Sequence, residues 1–137
     1  MRADFYILPT NDYMHFACRL IEKAYKENHT VFVLTQNQQQ AEQLDKQLWT
    51  FKDISFIPHH LSHDKENHTT PVTIGDSMEQ AKQQDILLLL TPEYTDNIKQ
   101  FERVMTTVPN ETEWKNKSRE LYNQLKALTS DIHTHKI

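Results

Sequence analysis

Glycine is nearly absent from the sequence: it occurs once in 137 residues, at Gly75. Loops that cradle a pyrophosphate or a triphosphate need several residues without a Cβ close to the phosphates. The chain therefore has neither a Gly-x-Gly-x-x-Gly turn nor the phosphate loop of nucleotide triphosphatases. Nucleotide binding by either loop is excluded.

Cysteine and long apolar runs are also scarce. A lone Cys18 excludes an intrachain disulfide, and the longest strongly apolar run, residues 86–90, is too short to cross a bilayer. Arg2 and Asp4 stand where a signal peptide needs uninterrupted apolar residues. The sequence therefore predicts a cytoplasmic protein that does not enter membranes.

An excess of positive charge is missing as well. There are 15 Lys and Arg against 19 Asp and Glu, which gives a formal net charge of −4. A protein that binds nucleic acid by bulk charge needs the opposite sign, so we expect weak or no direct binding to nucleic acid. The hydrophobic share of 37% is enough for a packed core, and the length suits one domain over residues 1–137.

Short apolar strands alternate with amphipathic helices along the first half of the chain. Strands are predicted over residues 3–9 and 30–35, and helices over 12–28 and 36–49. This order predicts an α/β fold with a mixed, mainly parallel sheet flanked by helices. Further strands are predicted from residue 71, over 86–90 and, at a sheet edge, over 101–108. Residues 50–70 are expected to form a long loop, and 133–137 a frayed tail.

Three histidines in the predicted loop could hold a metal: His59, His60 and His63. Zinc takes three or four such ligands, but no periodicity here places the imidazoles on one side, so solvated loop histidines are the plainer interpretation. A small cytosolic α/β enzyme with a metal at these histidines remains the alternative function. Neither the acidic residues nor Cys18 form a catalytic pattern, so we predict no catalytic residue and no cofactor.

The helix predicted over residues 111–130 has one apolar and one basic face. At about 100° per residue, four apolar residues fall together and predict a core face: Trp114, Leu121, Leu125 and Leu128. Roughly 120° away on the same wheel lies a second set, here called the basic stripe: Lys115, Arg119, Tyr122 and Lys126. Such a stripe is often only a solvated face. Tyr122 favours a binding site instead, because an aromatic ring beside Lys and Arg can hold an acidic peptide with an apolar residue.

A second candidate surface lies in the block LDKQLWTFKDISFIPHHL, residues 44–61. Trp49, Phe51, Phe56 and Ile57 supply more apolar material than the end of one surface helix usually buries. The block either packs back on the core or anchors a protein partner.

The whole chain resembles the chi subunit family of bacterial DNA polymerase III. The LD-x-x-LW block followed by SF-x-PH is the specific part of the resemblance. FYIL at the start, ACRLIEKAY, DILLLL and RELYNQLK support it. The resemblance implies a Rossmann-like fold without nucleotide chemistry and without catalytic residues.

The resemblance also implies two binding sites. Lys115, Arg119 and Tyr122 match the family's site for the acidic C-terminal tail of single-stranded DNA-binding protein. Trp49 and Phe56 match the surface that binds the psi subunit, or a helicase in its place. The implied function is a non-catalytic bridge, through psi, between the clamp loader and single-stranded DNA-binding protein during DNA replication.

Overall fold

The computed structural model describes residues 1–51, 57–62, 70–82, 84–94 and 97–137. Within these residues the chain forms seven strands and three α-helices, with 3₁₀ turns at Met78–Gln80 and Ile98–Gln100. In chain order the strands and α-helices are β1 (Arg2–Ile7), α1 (Tyr13–Lys26), β2 (Val31–Leu34), α2 (Gln38–Thr50), β3 (His59–Leu61), β4 (Val72–Gly75), β5 (Ile86–Leu89), β6 (Arg103–Val108), α3 (Thr112–Lys126) and β7 (Ile132–Lys136).

The strands form one sheet in the order β3-β4-β2-β5-β6-β1-β7. Every strand pair in the described part of the chain is parallel. The predicted α/β class and mainly parallel sheet are confirmed, whereas the expected antiparallel admixture is wrong. Central parallel strands are buried on both faces, which explains why β2 and β5 are uninterrupted apolar runs.

Helices cover both faces of the sheet. α1 and α2 pack on one face, against a core that includes Tyr6, Val31, Val33, Ile74, Leu88 and Met105. α3 packs on the other face, against a core that includes Ala3, Phe5, Phe32, Leu87, Val104 and Val108. Among the residues described, no helix has the length and apolarity needed to span a membrane.

β6 is a central strand, not the edge strand that the sequence predicts. It lies between β5 and β1. Thr106 and Thr107 give it a polar appearance, yet both are buried, at 1% and 0% exposure. Threonine is β-branched and suits a strand, so its hydroxyl alone is a poor sign of an edge position.

β3 interrupts the stretch predicted as a loop. His59 pairs with Val72 of β4, and three residues are enough to make β3 one edge of the sheet. A strand this short has no periodicity that could reveal it in the sequence. Within the stretch predicted as a loop, residues 52–56 and 63–69 lie outside the described part of the chain.

The predicted frayed tail is wrong, because these residues belong to β7. β7 pairs with β1 from Ala3↔Ile132 to Ile7↔Lys136, and the amide of Ile137 donates to the carbonyl of Ile7 at 3.0 Å. β7 thereby forms the second edge of the sheet.

A buried carboxylate connects β7 to the centre of the sheet. Asp4 on β1 has no exposed surface, and its oxygens accept from His135 Nε2 at 2.8 Å, Arg103 Nε at 2.8 Å and Arg2 Nε at 3.2 Å. The His135 ring also stacks on Tyr6, with centroids 4.8 Å apart. Burial raises the pKa of Asp4, but the hydrogen bonds from His135, Arg2 and Arg103 outweigh it and hold the pKa below its ordinary value.

We predict that Asp4→Asn lowers the free energy of unfolding by about 2 to 4 kcal/mol at pH 7, because it removes the carboxylate from three donors in a buried site. The lowered pKa means that this stabilisation exists above the unfolded-state value near 3.9 and fades as the pH falls below about 4. Urea unfolding at pH 7 and pH 3 measures both effects. The control is Asp131→Asn, whose exposed carboxylate lies 2.6 Å from His133 Nε2 of β7. Equal free energies of unfolding of the two variants at pH 7 would contradict the stabilising role of the Asp4 carboxylate.

Candidate binding surfaces

α3 presents its predicted apolar face to the sheet. Trp114, Leu121 and Leu125 are all buried, and Ser118 joins them. Leu128 follows the helix and packs partly buried against the same core. The basic stripe therefore lies along one flank of α3, where Arg119 and Lys126 are exposed and Tyr122 is half-buried.

Tyr122 shows which edge of the sheet the basic stripe lies near. Its ring is half-buried and meets Phe5 of β1 edge to face, with centroids 5.4 Å apart. Because β1 is followed in the sheet by β7, the stripe overlooks the β1–β7 edge. Lys115, at the start of the stripe, donates from Nζ to Asn110 Oδ1 at 2.7 Å.

Arg119 occupies the middle of the stripe. It is exposed, and its guanidinium makes no hydrogen bond or ion pair with any residue that the structure describes. A guanidinium in this state offers a planar pair of donors to a carboxylate. The structure thus brings together the three residues assigned to one site from the sequence: Lys115, Arg119 and Tyr122.

β7 adds residues to this surface that the sequence does not predict. The register pairs Thr134 with Phe5 and Lys136 with Ile7, so both residues of β7 lie on the face of the sheet that α3 covers. We call the surface made of the basic stripe and this face of β7 the basic groove. Lys136 supplies a further cation there. It was missed because residues 133–137 were expected to fray, although Ile132 and Thr134 already alternate as in a strand.

Lys117 belongs to the opposite flank of α3. Its Nζ lies 3.5 Å from Glu93 Oε1 and 3.7 Å from Glu113 Oε1. Glu93 follows β5, on the far side of α3 from β1. Lys117 therefore adds a positive charge to α3 but does not belong to the basic groove.

The second surface surrounds Trp49 near the end of α2. Leu48 beside it is 1% exposed, whereas Trp49 is 51% exposed. Phe51 is half-buried against the core and Ile57 is 2% exposed, so part of the block of residues 44–61 packs on the core. Phe56 lies outside the described residues. We call the exposed ring of Trp49 and its immediate surroundings the Trp49 surface.

The histidines near this surface make contacts with protein atoms. His59 is buried, with Nδ1 2.6 Å from the carbonyl of Ile57 and Nε2 3.2 Å from Asp45 Oδ1. His60 bonds through Nδ1 to Thr70 Oγ1, and His63 lies outside the described residues. In the part of the chain that the structure describes, no three potential ligands form a metal site.

Two acidic residues, Asp85 and Asp12, and the single cysteine have structural roles. Asp85 binds His29 Nδ1 and the amide of Thr30, both at 2.6 Å, and so joins β5 to β2. Asp12 caps α1 by accepting from the amide of His15. Burial raises the pKa of Cys18 to about 12, which leaves its thiol protonated and unreactive.

A cleft of about 990 Å³ opens at the carboxyl ends of the strands. At this end of the sheet, β2 leads into α2 on one face. The neighbouring strand β5 leads to a turn whose Ile98 packs on the opposite face. Many α/β proteins bind ligands at such a point, where the chain leaves adjacent strands toward opposite faces of the sheet. The lining of this cleft contains one lysine, Lys117, and five carboxylates: Asp76, Glu79, Glu93, Glu111 and Glu113. This charge repels phosphate, in agreement with the missing glycine-rich loops.

Comparison with known families identifies the relatives of this chain. A family model described as "DNA polymerase III chi subunit, HolC" matches residues 1–133. The chain belongs to the DNA polymerase III chi subunit family. The resemblance found in the sequence is thereby confirmed, and chi subunits are non-catalytic accessory subunits of DNA polymerase III.

Individual chi subunits agree over most of their length. The DNA polymerase III subunit chi of Pseudomonas aeruginosa is 30% identical over 139 residues, covering 99% of this chain and 96% of the relative. The subunit of the same name from Haemophilus influenzae is 27% identical and covers 98% and 96%. That of Escherichia coli is 26% identical and covers 85% and 80%. Membership in this non-catalytic family leaves the alternative of a histidine metalloenzyme without support.

We predict that Trp49→Ala changes the free energy of unfolding by less than about 1 kcal/mol, since the ring is half exposed. Its buried neighbour provides the contrast: Leu48→Ala should cost about 2 to 5 kcal/mol because it leaves a cavity in the core. Guanidinium unfolding followed by circular dichroism compares the two. If Trp49→Ala costs as much as Leu48→Ala, Trp49 is a core residue and not a binding surface.

Proposed function

We propose that this chi-family chain joins the clamp loader, through the psi subunit, to the acidic C-terminal tail of single-stranded DNA-binding protein. It would act in the cytoplasm, as one domain, during DNA replication. The basic groove would receive the tail, and the Trp49 surface would receive psi, with a helicase as the other partner at that surface. The link to DNA would be indirect, because the chain as a whole is acidic.

The basic groove suits an acidic peptide that contains an apolar residue. Arg119 offers two parallel donors to a carboxylate, and Lys115 on α3 and Lys136 on β7 add positive charge. The Tyr122 ring, placed against Phe5, offers apolar contact to a side chain of the peptide. A free carboxylate and an apolar tip could therefore bind side by side.

The separation of the two surfaces is the observation that best supports a bridge. α2 and α3 lie on opposite faces of the sheet, and α2 packs near β3 and β4 while the basic groove lies beside β7. β3 and β7 are the two edges of seven strands, roughly 29 Å apart at about 4.8 Å per step. Two partners can then bind without competing, which raises the polymerase's effective concentration at coated template.

We predict that Arg119→Ala weakens binding of a labelled tail peptide about tenfold to a hundredfold, because a charge-assisted hydrogen-bonding group is lost. Arg119→Lys should recover part of the affinity, since it keeps the charge but not the planar geometry. Lys117→Ala is the matched control from the other flank of α3 and should bind nearly as wild type. Fluorescence anisotropy at low and high salt measures all four proteins.

The same variants separate the two surfaces. Arg119→Ala should bind psi as wild type does, whereas Trp49→Ala should lose psi binding and keep the tail peptide. Circular dichroism confirms that each variant is folded. A folded Arg119→Ala that binds the tail peptide with wild-type affinity would show that the basic stripe is only a solvated face.

A further inference from the structure

His59 packs directly against Trp49, and the proposed function gives it no role. Its side chain has no exposed surface, although β3 is an edge strand. The His59 and Trp49 ring centroids lie 4.4 Å apart, with the planes inclined by 46°. The exposed indole therefore rests on a buried imidazole.

Both ring nitrogens of His59 face hydrogen-bond acceptors. Nδ1 lies 2.6 Å from the carbonyl oxygen of Ile57. Nε2 lies 3.2 Å from Asp45 Oδ1 and 3.3 Å from the carbonyl oxygen of Asp45. Carbonyls accept only, and so does an ionised carboxylate.

A neutral imidazole cannot satisfy this arrangement. It has one N–H and one lone pair, so either Ile57 or Asp45 would face a lone pair. The imidazolium has an N–H on each nitrogen and meets both acceptors. It also places a cation against the Trp49 ring, well within the roughly 6 Å at which cation–π attraction operates.

Among the residues that the structure describes, the surroundings of His59 supply one charge partner. α2 contributes Asp45 and Trp49, β4 contributes the apolar Val72 beside it in register, and the segment before β3 contributes the Ile57 carbonyl. Asp45 is the charged side chain that contacts His59 among the residues described. His60 alternates to the opposite face of β3, where it bonds to Thr70.

We propose that His59 is a positioning residue for the Trp49 surface: as an imidazolium bound between Asp45 and Ile57 it holds the Trp49 ring in place for its partner. When the proton leaves, a lone pair faces Asp45 and the ring shifts, and Trp49 shifts with it. The identity of the partner as psi rests on the proposed function, whereas the coupling of His59 to Trp49 does not.

Fluorescence tests this coupling without any partner. The chain has two tryptophans, so Trp114→Phe leaves Trp49 as the sole emitter. An imidazolium in contact with indole quenches its emission more than neutral imidazole does. Emission should therefore rise when an increase in pH removes the proton from His59. His59→Gln in the same background should abolish that transition, and His60→Gln should keep it.

A second measurement covers the case in which Trp114→Phe fails to fold. Nitrogen-15 NMR of the unmutated chain distinguishes an imidazolium, with hydrogen on both nitrogens, from either neutral tautomer. His59 in the folded chain should give the imidazolium signal. A neutral His59 in the folded chain would overturn the proposal.

Psi binding measured against pH completes the test. In the unmutated chain the affinity should fall about fivefold to tenfold as His59 loses its proton, and in His59→Gln it should stay at the weaker level at every pH. If Trp49→Ala loses psi binding but the affinity of the unmutated chain for psi does not change with pH, the positioning role is overturned. If Trp49→Ala binds psi normally while the fluorescence transition follows His59, the psi assignment fails and the coupling stands.

Discussion

Burial of a parallel sheet on both faces is the constraint from which the other features follow. Seven parallel strands need cover on each side, and the described part of the chain provides two α-helices on one face and one on the other. A single helix cannot cover a whole face, so α3 leaves the β1–β7 edge open beside it. The places left for recognition are the outer flanks of helices and the sheet edges. Both candidate surfaces lie at such places.

Asp4 connects this constraint to the basic groove. The carboxylate is buried within β1 and is stabilised by donors from β6, β7 and its own strand. By binding His135, Asp4 fixes β7 at the edge of the sheet. β7 in turn supplies Thr134 and Lys136 to the basic groove. A similar logic applies at the opposite edge, where His59 of β3 contacts both Asp45 and Trp49 of α2. At each edge, a short strand and a buried ionisable side chain position exposed residues.

The sequence predicts the features whose causes are local. The continuous apolar runs of β2 and β5 report burial on both faces, and the 3.6-residue period of α3 separates its core face from the basic stripe. It does not predict β7 or the central place of β6, because these depend on partners distant along the chain. His135, for example, reads as a polar tail residue until it meets Asp4, 131 positions away. Lys136 lies on the same strand and is missed for the same reason. The sequence does not predict β3 because a strand of three residues shows no periodicity.

The central claim is that one chain holds two partners at once, on opposite faces and edges of its sheet. Calorimetric titration of the tail peptide into the chain alone, and into the chain saturated with psi, tests it most directly. The account predicts one peptide per chain in both cases and affinities equal to within about twofold, since separate sites without a shared element have little coupling. Displacement of psi by the peptide, or a loss of affinity greater than about tenfold, would mean that the two surfaces are not independent.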